Sequence, residues 1–173
     1  MIDGAFCVTM AQYNEWMNRR LYAACATLPA AELTRDRGAF FGSIQATLDH
    51  IVYGDLSWLS RFTGVPADPP RLGVPLHADF AALRMAREAL DRRLLDWAAG
   101  LADDWLRETL TYTSQVDGLT RTVPRAVLVT HLFNHQTHHR GQVTTLLSQA
   151  GIDPGATDLP FMPAFSPTDP NPA

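Results

Sequence analysis

Cysteine is scarce in this chain: there are two, Cys7 and Cys25. They form no CxxC pair and show no framework spacing, so a disulfide scaffold is excluded. Both fall in one predicted helix, too far apart along it to bond, and the pattern fits a reducing cytoplasm. Long apolar runs are also missing, and no stretch reaches the ~20 residues that a membrane-spanning helix needs. The opening Met-Ile-Asp-Gly lacks a basic segment ahead of an apolar run, so no secretory leader is expected. Charge of one sign is nowhere concentrated. The net charge is −4, and no basic stripe carries interleaved aromatics, which argues against nucleic acid as a partner. There is no glycine-rich phosphate loop, no nucleophile elbow and no repeat at a solenoid period. The expectation from these absences is a soluble, cytoplasmic protein.

What is present fits a globular domain. The 173 residues are 46% hydrophobic and 18% charged, enough for a single domain over 1–173 with a sizeable core. Apolar residues recur in steps of three and four at Met10, Tyr13, Met17, Leu21, Cys25 and Leu28, predicting a first helix over 7–28 that Pro29 stops. Arg19 and Arg20 read as its solvated face, and Asn18 as an edge position able to turn inward. Residues 34–41 read as a connector. Ser43 is a candidate N-cap for a second helix that runs to about Phe62 and ends at Gly64 and Pro66. Its apolar arc holds Ile44, Leu48, Ile51, Leu59 and Phe62, with Trp58 on one edge. A proline-rich loop over 64–75 then crosses to a third helix over 78–99. That helix turns Leu83, Leu90 and Leu94 inward and Arg84, Arg87, Glu88, Asp91, Arg92 and Arg93 outward. Residues 105–123 favour extended structure around Asp117-Gly118, a hairpin turn signal. Pro124 suits the first turn of a fourth helix over 123–150. The tail over 158–173, rich in proline, reads as an extended surface segment. The fold class is all-α: a four-helix bundle with a crossover loop and a small β-hairpin before the last helix.

The chemistry concentrates in the fourth helix, in His131-Leu-Phe-Asn-His135-Gln-Thr-His138-His139-Arg140-Gly-Gln142. Four of the six histidines fall within nine residues. At ~100° per residue, His135 and His139 point into the middle of the arc formed by Leu128, Leu132, Val143 and Leu146. His131 and His138 land about 90–110° away, on its two flanks. The i, i+4 pair stacks two imidazoles on one face, the geometry by which one metal ion takes two ligands from one helix. The bland reading is a pair of hydrogen-bonded core histidines. Two unpartnered imidazoles on one apolar face are costly, however, and a metal satisfies both together. A third ligand has to come from elsewhere. His50 lies beside the apolar arc of the second helix, with the small residues Gly54 and Ser57 on its side. On the wheel alone it reads equally as a surface histidine or a ligand. His77, in a loop, reads as an exposed histidine.

The segment His135-x-x-x-His139-Arg140-Gly141-Gln142 resembles the signature of the DinB/YfiT-like superfamily. Tyr13-Asn14-x-Trp16-x-Asn18 with Arg20-Leu21 is similar to that family's first helix. Leu48-x-His50 with Trp58-Leu59 is similar to its second, and Thr157-Asp158-Leu159 to the segment after its last. The resemblance covers most of the chain. It implies a four-helix bundle in which one metal ion is held by His50, His135 and His139, with zinc or nickel as the metal. It also implies, among other possibilities, a transferase or isomerase that works with a low-molecular-weight thiol.

Three imidazoles leave a divalent metal with open positions. Such an ion activates water for hydrolysis or holds a thiolate for transfer to an electrophile. Neither cysteine is near the motif, so an attacking thiol would come from a small-molecule cosubstrate. Asp55 and Arg140 are the nearest polar groups, read here as supporting or bundle-edge salt-bridge residues. The residues alone do not separate the two; with the resemblance, a thiol-dependent S-transferase stands ahead of a hydrolase, and both ahead of a non-catalytic metal-binding or plain interaction bundle. The four tryptophans (Trp16, Trp58, Trp97, Trp105) are more aromatic surface than a small bundle must bury, so a homodimer is expected.

Overall fold

The computed structural model describes residues 2–67 and 73–165. The prolines expected to shape the crossing loop at 69 and 70 and the tail beyond 165 lie outside the described residues. The first helix, α1 (Gly4–Cys25), opens with Asp3 accepting the Phe6 N–H. Its end comes three residues earlier than the periodicity suggests, and Pro29 instead caps a short second helix, α2 (Ala30–Thr34), that the periodicity does not predict. Proline disfavours a helical residue before it but is tolerated at a helix start, so the chain breaks and restarts around Pro29. A tight loop with Gly42 at φ 78° carries Phe41 to the start of α3 (Ile44–Thr63). Ser43 caps that helix by accepting the Ala46 N–H, and Gly64 closes it at φ 71°, where a side chain would be strained.

The third long helix, α4 (Phe80–Ala99), is capped by Asp79 and so starts two residues after the expected Ala78. A short α5 (Asp103–Arg107) occupies the start of the stretch read as extended. Asp103 and Asp104 sit in its first turn, where the helix dipole favours acidic groups. The hairpin follows as β1 (Thr109–Thr113) and β2 (Thr120–Pro124), antiparallel, with Thr111 opposite Thr122. Pro124 is the cap before α6 (Arg125–Gln149), one position outside the expected first turn.

The four long helices form the bundle: α1 packs against α4 and α6, and α3 against the same two. Leu21, Leu48, Leu90, Leu132 and Leu147 fill its interior. The hairpin leans on α3, with Tyr112 edge-on to Trp58 at 5.2 Å. The tryptophans pack largely within the chain: Trp97 and Trp105 meet at 6.2 Å, and Trp16 carries the Arg20 guanidinium.

Charge in the bundle interior departs from the expected pattern. Arg87 and Asp91, expected on an outer face, are 1% and 4% exposed. Arg87 donates to Asp55 Oδ2 at 2.5 Å and pairs with Asp91 at 2.8 Å. Asn14 and Asn18 donate to Asp91 Oδ1 at 3.0 and 2.9 Å, and Arg140 donates to Asn14. Burial alone would pull the Arg87 guanidinium down, but Asp91 and Asp55 hold it charged, above its ordinary range. Arg87 pairs with both carboxylates, and Asn14 links Asp91 to Arg140, so the buried charges are joined across all four long helices. Asp55 and Arg140 therefore belong to the bundle centre and not to its edge. Among the described residues, no helix is long and apolar enough to cross a membrane.

Candidate metal centre

α3 presents His50, and α6 presents His135 and His139 one turn apart. The packing of α3 on α6 brings the three together. His135 Nε2 lies 3.0 Å from His50 Nε2 and 3.1 Å from His139 Nε2. One nitrogen from each ring falls within 4.8 Å of the others. A tetrahedral ion with nitrogen ligands at ~2.0–2.1 Å separates them by ~3.3 Å along each edge, so the two edges that meet at His135 are close to the length a divalent metal requires.

The protonation of the rings agrees with that use. His139 Nδ1 is 2.8 Å from Gln142 Oε1; an amide oxygen accepts, so Nδ1 carries the proton and Nε2 offers its lone pair. Burial, and secondarily the neighbouring His139, lowers His50 to about 4. Burial, with His139 and His50 next, lowers His135 to about 3. His139 is also lowered, chiefly by burial. The rings are neutral at pH 7, the form that binds a cation. His135 Nδ1 is buried with no partner, so the interaction that compensates this ring lies on its Nε2 side. The residues fit a metal ion.

The surroundings fix ring positions. Phe41 stacks on His50 with centroids 4.0 Å apart and meets His139 edge-on at 5.5 Å. Gly54 is packed so closely that an added Cβ would sit 2.7 Å from His135 Cε1. Thus the small-residue strip beside His50 makes room for the opposite helix's imidazole. Of the flanking histidines, His131 lies edge-on to Trp58 at 5.1 Å, and His138 lies edge-on to His139 at 4.7 Å, exposed and beside Gln142. Neither belongs to the triangle.

The structure separates other candidates from the site. Cys7 and Cys25 are free and buried, and burial raises their thiols to about 11 and about 12, so neither supplies a thiolate. Arg140 turns toward Asn14 and the ring of Tyr13, whose hydroxyl donates to the Thr157 carbonyl at 2.5 Å. Asp55 accepts from Gln136, the neighbour of His135, at 2.9 Å, and so bears on the placement of α6. His77 departs from its expected role: it is partly buried and 2.7 Å from Asp49. No sequence signal marks Phe41 or the Asp49–His77 pair, because both arise from loops folding back on α3. Gln142 was visible in the motif without a role.

A cleft of ≈ 420 Å³ opens beside His50, walled by Phe40, Phe41, Tyr53 and Val74, with Asp49 and His77 on its lining. The fold and three-histidine group fit a metal-binding protein. The family model described as "DinB family" matches residues 1–169. Protein DinB of Bacillus subtilis (strain 168) is 29% identical over 157 residues, which cover 88% of this chain and 91% of that protein. With the match running from the start of α1 past the end of α6, this chain belongs to the DinB family.

Proposed function

We propose that this protein is a metal-dependent enzyme that transfers the sulfur of a low-molecular-weight thiol to an electrophilic small molecule, with His50, His135 and His139 as metal ligands. The observation that carries the reading is the convergence of three neutral imidazole nitrogens, 3.0–3.1 Å apart along two edges, with one ring lining a cleft of small-molecule size. The group contains no carboxylate or thiolate among the described residues, which matches a site whose remaining coordination is left to a solute. A divalent ion such as zinc or nickel, held by His50, His135 and His139, would supply Lewis acidity that favours the ionised form of a thiol.

The chain's own residues do the rest. Gln142 holds His139 in the tautomer that presents Nε2, and Phe41 covers His50 and limits water. The apolar wall formed by Phe40, Tyr53 and Val74 takes the body of a small substrate. The buried cysteines support a thiol from outside the chain. The wider superfamily, which includes thiol-dependent transferases, points the same way.

The test is elemental analysis of protein purified without an affinity tag. The expected result is about one ion per chain in the wild type and a strong loss in His50→Ala, since removing one of three ligands opens the site. Wild type that takes up neither zinc nor nickel would leave the histidines as packing residues and end this reading.

A further inference from the structure

Outside the histidine triangle, a second pair of chemically capable side chains faces the same cleft. His77 lies in the loop before α4, with its Nδ1 2.7 Å from Asp49 Oδ1. The other carboxylate oxygen, Oδ2, accepts the Leu76 N–H at 2.7 Å. The carboxylate thus ties the loop to α3 at two adjacent points, and Asp49 is itself 7% exposed. A carboxylate only accepts, so a proton sits on His77 Nδ1, and Nε2 is the ring nitrogen left to exchange a proton with a ligand. Carboxylate-held imidazoles of this kind set a ring's tautomer and orientation for proton transfer.

The position of the pair matters as much as its geometry. His77, Asp49 and His50 line one cleft of ≈ 420 Å³, the size of a single small ligand. A molecule filling it touches both the His77 ring and the edge of the three-histidine site. Among the described residues, the cleft lining holds no lysine or arginine, and Asp49 is its one carboxylate. Among the described lining residues, His77 is therefore the imidazole placed to take a proton from a ligand without itself belonging to the triangle.

We propose that His77 is the proton acceptor of the reaction and that Asp49 is its positioning residue. This rests on the thiol-transfer reading above. The thiol arrives carrying its proton, His77 Nε2 accepts that proton, and the sulfur keeps the electron pair of the broken S–H bond. That pair forms the new S–C bond, while the leaving group departs with the electron pair of the bond it breaks. His77 then returns the proton to solvent.

The experiment uses the full chain loaded with zinc, with L-cysteine and monobromobimane as the probe pair and bromide as the leaving group. Zinc content, thioether formation and ring-nitrogen NMR of histidine-labelled protein are measured for wild type, His77→Ala, His77→Gln and Asp49→Asn. The expected result is unchanged zinc in all four and a kcat lower by ~10²-fold or more in both His77 variants. The Nδ1–H tautomer of His77 is expected in the wild type and a changed one in Asp49→Asn, a signature that lost packing alone would not produce. A wild-type rate in His77→Ala at full zinc overturns the proposal, as does an Nε2–H tautomer in the wild type. Zinc loss in the His77 variants also overturns it, by placing His77 at the metal. A zinc-loaded wild type with no rate above background removes the transfer reading and the proposal with it.

Discussion

At Gly54 the bundle gives up helix propensity for close approach. Glycine in a helix interior costs ~1 kcal/mol relative to alanine, yet a Cβ here would sit 2.7 Å from Cε1 and 3.1 Å from Nδ1 of His135. Gly54→Ala is therefore expected to displace the His135 ring and weaken zinc binding by ~10–100-fold, the range for lost ligand support. Competition against a chromophoric chelator measures it. The same rings set an acid limit. His50 and His135 are lowered from 6.5 to about 4 and about 3, chiefly by burial, so the unfolded chain binds protons that the folded chain refuses. Their contribution to stability is full above pH 6.5 and falls as pH drops from 6.5 through about 4 and about 3. Urea unfolding of metal-free protein at pH 7 and pH 5 is expected to show lower stability at pH 5, with a smaller difference in a His50→Gln, His135→Gln double variant.

At the scale of the helices, the periodicity of α1, α3, α4 and α6 was legible because each buries one apolar stripe, and Ser43 and Gly64 mark the ends of α3 by their cap chemistry. Arg87 and Asp91 were not legible. A charged residue on one helix reads as solvent-facing until its partner is seen, and here the partners come from α1 and α3. Removing one of them tests the network. Asp55→Ala leaves the fully buried Arg87 short of a counterion and Gln136 without its acceptor. The expected loss is ~3–5 kcal/mol, the cost of breaking a buried ion pair on one side, measured by denaturant unfolding. α2 and α5, five residues each, were missed because their length is below what a 3.6-residue period can establish.

For the whole molecule, the proposed metal site would link metal to fold, since an ion held between α3 and α6 would bind the folded state and not a chain that has lost their packing. Zinc in ~100-fold excess over its dissociation constant adds ~2.7 kcal/mol. For a chain of this size that corresponds to a rise in Tm of ~5–10 °C. The expected outcome is such a rise in the wild type and none in His139→Ala, checked by thermal unfolding with and without zinc. A rise of equal size in the variant would place the stabilising ion elsewhere.

The sequence by itself determined the helical class, the hairpin before the last helix and the inward pair His135 and His139, because spacing along one helix is local and a period of 3.6 residues can be read from one segment. The helical pattern left His50 open between surface and site, since nothing in α3 alone says which neighbour covers that edge, and only the family resemblance grouped it with the other two. The tertiary structure is what brings the three rings together. Packing α3 on α6 sets His50 Nε2 3.0 Å from His135 Nε2, the loop before α3 lays Phe41 over it, and the loop before α4 brings His77 to Asp49. Each of these contacts joins residues from separate elements, and the distance between elements is a property of how their faces pack, not of the order of residues within either one.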